Sequence, residues 1–223
     1  SSAMLTQNLQ GAAQAVSQHA AEQSVARLDE LEARYYDNTK RYGDIYAEAL
    51  ARAREVPVLE GYLPALHAAT QRTFAISERH LRAHKNMLSM RDKEYAAVAA
   101  FENRRQYFSA EMADISFTMS DRDLSSKWLL SSMARDIAEA SALLSKIPTL
   151  QQANHLQEAS RQLRYFWENI RFKYEGLQAR FPDVAEPLAP TIKILSHHIL
   201  DDQGVLELQH KLLAAEAERD SLN

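Results

Sequence analysis

Cysteine is absent from the 223 residues, which excludes disulfides, thiolate metal sites and cysteine nucleophiles. Glycine numbers only 5 and proline 6. That is too few for the tight turns on which sandwiches, barrels and nucleotide-binding α/β units depend. No apolar run approaches the roughly 18 residues of a membrane-spanning helix. Neither charge sign dominates: 26 Lys and Arg stand against 30 Asp and Glu, a net charge of −4. Nucleic-acid binders carry a basic face, so a nucleic-acid partner is not expected.

What remains is helix-forming material. Hydrophobic residues make up 46% and charged residues 25%, enough apolar surface for a core, and the strong helix formers Ala, Leu, Gln, Glu and Arg are abundant. The fold class read from this is all-α, built of long antiparallel helices. A first helix is expected from Met4 to Arg54. Its seam runs through Leu5, Leu9, Ala12 and Val16, slips phase between His19 and Ala26, and resumes at Leu28, Leu31, Tyr35, Asn38, Tyr42 and Ile45. Glu55, Val56 and Pro57 should end it. A second helical stretch is expected to open near Pro64 and reach Met119. Its seam changes phase around Ser89–Asp92, where a turn would split it. Ser120 and Asp123 read as the start of a third helix, bent or broken at Pro148 and stopped by Phe181 and Pro182. Within it Leu156, Leu163, Ile170 and Leu177 form the cleanest heptad seam in the chain. Two short helices, 184–200 and from Val205 onward, are separated by Asp201–Gly204.

At about 1.5 Å per residue the first and third helices would each extend roughly 75 Å or more. Two arrangements accommodate them. The favoured one stacks two four-helix bundles that share the two long helices, with one bundle over 28–147 and the other over 4–27 plus 148–223. The alternative is one elongated four-helix bundle with 64–119 unbroken.

Several polar residues interrupt these seams. Arg27, Arg34, Asn38 and Arg41 follow one stripe, a pattern able to hold a carboxylate through guanidinium forks. The same arginines also form acid-before-base pairs four residues apart, Glu30 with Arg34 and Asp37 with Arg41, which merely support an exposed helix. Asn38, lying between Tyr35 and Tyr42, is either a ligand contact or a register device. Arg105 lies between Phe101 and Phe108 with only Glu102 as a nearby acid, and so calls for an ion pair or a bound anion. Arg135 precedes Glu139 by one turn. His84, with His80, makes a pair able to face a metal, but no third ligand is visible and no metal is expected. His19 and Gln23 could face Ser160 and Arg164 as a second polar pocket. Glu207 and His210 have the spacing of a di-iron ligand pair, which such bundles need twice and which occurs once here. No Ser-His-Asp set, phosphate loop or paired catalytic carboxylates can be placed, so neither an enzyme nor a cofactor is expected. The expected ligand-binding set is Arg34, Tyr35, Asn38, Arg41, Tyr42, His84, Arg105 and Arg135, among Phe101, Phe108 and Trp128.

In architecture, and in wording over the last sixty residues or so, the chain resembles the helical bimodular sensor domains of bacterial chemoreceptors and sensor kinases, the TorS-like class. The wording lies in Trp167-Glu168-Asn169-Ile170, then Phe181-Pro182, then the short helix ending Leu195-Ser196-His197-His198, and finally the run from Gly204 through His210-Lys211-Leu212-Leu213 to Glu216. The resemblance implies a periplasmic domain of an inner-membrane receptor, held by flanking membrane helices outside this chain and homodimeric in the full receptor. It implies that a small molecule, often a carboxylate, or a periplasmic binding protein docks between helices and shifts them. Helical pattern that starts by Met4 and still runs at Leu213 accords with that expectation, as does the lack of cysteine. The alternative is a helical adaptor or scaffold acting through protein contacts.

Overall fold

The computed structural model describes residues 2–53, 57–118 and 124–222. The expected stop at Glu55 and Val56 and the expected cap at Ser120 and Asp123 lie outside the described residues. Among those described there is no strand, and the protein is an all-α helical bundle. Its helices are α1 (Ser2–Ala21), α2 (Val25–Ala53), α3 (Pro57–Thr118), α4 (Leu124–Leu144), α5 (Ala153–Arg180), α6 (Pro182–Ala185), α7 (Ala189–Leu200) and α8 (Val205–Ser221). None is long and apolar enough to cross a membrane.

The chain divides into two compact units. The first holds residues 1–89 with 215–223, and the second holds 90–214. This differs from the expected 28–147 against 4–27 plus 148–223, because α1 packs on α2 rather than on the C-terminal helices. Ala12 and Ala15 of α1 share one core with Tyr35 and Tyr42 of α2 and with Phe74 and Leu81 of α3.

Three connections differ from expectation. The expected first helix is a hairpin. α1 ends at Ala21, the chain turns through Glu22, Gln23 and Ser24, and α2 returns alongside it. Met4 shares a groove with Ile45, Gly11 touches Asn38, and Gln18 shares a groove with Leu31, which is an antiparallel register. The seam's phase slip is the turn itself. Glu22 stabilises it by accepting hydrogen bonds from the backbone N–H groups of Gln23 and Ser24, both 2.9 Å. Those bonds hold the Glu22 carboxyl below its usual range.

Conversely, α3 has no turn at Ser89–Asp92 and starts at Pro57, leaving Pro64 inside it. The seam changes phase there because the helix passes from the first unit's core to the second's at Ser89 and Met90. The helix expected to bend or break at Pro148 breaks there, and the break is also a hairpin. α4 ends at Leu144, Pro148 sits in a short 3₁₀ segment from Ile147 to Thr149, and α5 packs back along α4.

In the second unit the seam expected on α5 is the core. Leu156, Leu163, Ile170 and Leu177 are fully buried, together with Phe101 and Phe108 of α3, Met133 of α4 and Leu195 of α7. At about 25 cal/mol per Å² of apolar surface, each such side chain contributes roughly 1.5–3 kcal/mol. Lys173 and Asp136 form a largely buried ion pair that ties α5 to α4. The break at Asp201–Gly204 falls where expected.

Candidate functional site

Six of the eight expected ligand-binding residues lie in the first unit, and two, Arg105 and Arg135, lie in the second.

Arg34, Asn38 and Arg41 lie along the groove between α1 and α2. It widens into a space of about 360 Å³ beside Gln7, Asn38, Arg41 and Asp44 and another of about 320 Å³ beside Gln18, Arg27, Glu30 and Arg34. The cations are already matched by acids one turn earlier. Arg34 donates to Glu30 at 2.6 Å and Arg41 lies 3.0 Å from Asp37, all four exposed. Asn38 is half-buried, and its Nδ2 donates to the Arg34 carbonyl at 2.8 Å. Its amide covers Gly11 so closely that a Cβ there would lie 2.4 Å from Oδ1. Asn38 therefore works as a packing and register device in the hairpin.

Tyr35 and Tyr42 face inward. The Tyr35 hydroxyl donates to the Phe74 carbonyl at 3.0 Å. Burial, followed by the nearby Glu78 carboxylate, pushes its pKa up to about 12. Tyr42 packs edge-on against Phe74, while Tyr46 stacks on His67 with ring centroids 3.9 Å apart. Above Tyr35 a groove of about 310 Å³ opens between α1 and α3. Leu9, Ala12 and Ala13 line one side and Thr70, Thr73, Phe74 and Ser77 the other. It exists because alanines and threonines stand where larger side chains would fill the space. The Thr70 and Thr73 hydroxyls donate to the Leu66 and Ala69 carbonyls, at 3.0 and 3.2 Å.

His84 belongs to a third feature, at the α1–α2 turn. Its Nε2 lies 2.9 Å from the Glu22 carbonyl oxygen, and its ring packs edge-on against His19, with centroids 5.4 Å apart. Glu32 of α2 approaches His19, and Lys85 of α3 bridges Glu32 and Asp29. His19 thus faces residues of its own unit, whereas Ser160 and Arg164, its expected partners, belong to the second. Among the described residues no three His, Asp or Glu side chains gather as a metal site.

In the second unit the demand for negative charge at Arg105 is met. Its Nε and Nη2 donate to the two oxygens of Glu102, at 2.8 and 2.5 Å, and the Ser141 hydroxyl of α4 donates to the same carboxylate at 2.5 Å. The Arg105 guanidinium and then the Ser141 hydroxyl bring the Glu102 carboxyl down to about 2. Arg135 is exposed on α4, and Trp128, expected among the ligand-facing aromatics, is 66% exposed.

Sequence reasoning missed the 310 Å³ groove and Glu32. Ala12 and Thr73 would have drawn notice had 2–21 been read as a separate helix lying against 57–118. The chain matches no known family, curated protein or solved structure.

Proposed function

We propose that this chain is a ligand-sensing domain of a bacterial transmembrane receptor, the periplasmic helical module its resemblance implies, and that the ligand enters between α1 and α3. The observation that supports this is the groove of about 310 Å³ walled by Leu9, Ala12, Ala13, Thr70, Thr73, Phe74 and Ser77 above the Tyr35 ring. Small-molecule sites have volumes from about 300 Å³ upward and combine apolar walls with a few polar groups. No charged residue lines this groove. It suits a small uncharged ligand, aromatic or aliphatic, rather than the organic acid first expected at Arg105. A ligand touching both α1 and α3 has a different affinity for each relative setting of the two helices, which is what a transmitted helix shift requires.

A melting-temperature screen of the whole chain against uncharged aromatics, alcohols, amino acids and organic acids tests this reading. Ligand at 100 times its Kd stabilises by about 2.7 kcal/mol. Ala13→Phe, which fills the groove from its rim, should abolish the response while leaving helicity unchanged. A response to organic acids that survives Ala13→Phe would place the site elsewhere. Silence across the panel would favour the second reading, a helical adaptor. That reading draws on Tyr165 and Phe172, 64% and 77% exposed and two turns apart on α5, since exposed aromatics of this kind favour protein contacts.

A further inference from the structure

His19 occupies the last turn of α1 and is wholly shielded from solvent. Its Nδ1 makes no hydrogen bond, and its Nε2 has only a long contact with a carboxylate. A buried polar group left in this state costs free energy and calls for an explanation. Its surroundings are ionisable on every side. From α2, Glu32 brings Oε1 to 3.4 Å from Nε2. From α3, the His84 ring packs against it, and His80, one turn earlier, acts on it electrostatically. Lys85, also on α3, draws on the other oxygen of Glu32 at 3.0 Å and on Asp29 at 2.6 Å. Glu22 closes the turn above, its carbonyl oxygen 2.9 Å from His84 Nε2.

From this geometry we infer that His19 is an acid-sensitive latch, which holds the end of α1 and the Glu22–Ser24 turn against α3 while neutral and releases them when it takes up a proton. Two influences favour the imidazolium: the Glu32 carboxylate and the carbonyl end of α1. Two oppose it: burial, and the neighbouring histidines, which charge in the same pH range. Glu32 is already engaged by Lys85, which blunts its pull. Burial and His84 prevail, and the His19 pKa lies below the usual value of 6.5.

The sign follows from that direction. Below about pH 6.5 the unfolded or released chain binds a proton that the latched form does not. Latching is therefore fully present above that pH and is progressively lost as pH falls toward the depressed pKa. One proton of difference changes the equilibrium by up to tenfold per pH unit.

Urea unfolding of the whole chain between pH 7.5 and 5.0, for the parent and His19→Leu, measures this. The parent should lose stability on acidification by up to tenfold per pH unit more than the variant. Hydrogen exchange in the parent, corrected for intrinsic rates, should rise selectively over 16–24 at pH 5.5, with α5 unchanged. Parallel pH curves for the two proteins would overturn the latch. So would a parent that gains stability relative to the variant at pH 5, because His19 and Glu32 would then form a stabilising ion pair. Should His19→Leu not fold, NMR titration of the parent His19 ring decides, and a pKa at or above 6.5 overturns the inference.

Discussion

Gly204 provides the sharpest quantitative test of the packing. It is buried between α7 and α8, donates its N–H to the Asp201 carbonyl at 2.7 Å, and accepts the Leu208 N–H at 3.0 Å, starting α8. Its φ lies outside the left-handed region, so backbone conformation does not demand glycine. Close approach does. A Cβ would stand 2.6 Å from the His198 carbonyl oxygen and 2.9 Å from that of Asp201. Carbon–oxygen contacts settle at about 3.3 Å or beyond, so the end of α7 must retreat by roughly 0.5 Å or more. Those obstacles are backbone atoms, and Val205, Leu206 and Leu208 just beyond are buried in the core, which leaves little freedom to yield. Overpacking of this kind costs about 1–3 kcal/mol. The stiffer unfolded chain of an alanine variant returns about 0.4–1 kcal/mol. Gly204→Ala should therefore lose about 1–2 kcal/mol net, lowering Tm by roughly 2–8 °C for a chain of this size. Gly176, inside α5 near its C-terminal end, is the control, because a Cβ added there would meet nothing within 4 Å. There alanine should gain about 0.5–1 kcal/mol through helix propensity. Melting followed by circular dichroism at 222 nm compares the three proteins. A Gly204→Ala protein that melts at or above the parent would refute the close packing of α7 against α8.

Two further outcomes follow from the geometry. Gly11→Ala should destabilise the α1–α2 hairpin despite the better helix propensity of alanine, because Asn38 fills the space. In an Asn38→Ala background the same change should stabilise, giving a coupling of at least about 0.5 kcal/mol in a double-mutant cycle by urea unfolding. At Arg105 the ion pair with Glu102 is about a third exposed, so Arg105→Ala should cost only about 1 kcal/mol or less at pH 7. Because Glu102 has a folded pKa of about 2 against a usual 4.5, its contribution is complete above pH 4.5 and disappears as pH falls through 2. Carboxyl NMR should find Glu102 moved up toward the usual range in Arg105→Ala. A loss of several kcal/mol, or an unmoved Glu102, would contradict the arrangement.

The amino-acid sequence by itself determined which segments are helical and which faces are apolar. Those properties are local: scarce glycine, abundant helix formers, and a repeat such as Leu156, Leu163, Ile170 and Leu177 that can bury only one side. The break at Asp201–Gly204 was legible for the same reason, because a cluster of turn residues interrupts the pattern. Tertiary structure alone decided where the chain reverses. The turn at Glu22–Ser24 contains neither glycine nor proline, and a reversal there looks in sequence like a heptad phase slip. The phase change near Ser89 has the look of a turn but is one unbroken helix changing cores. Periodicity tells a helix which face to cover without saying which partner covers it. The same limit governed the polar residues. Arg105 looks short of negative charge in sequence because Ser141, on a different helix, cannot be seen helping Glu102. Asn38 has the marks of a ligand contact until Gly11 arrives opposite it, and His19 becomes a buried histidine among ionisable neighbours only when three helices close around it.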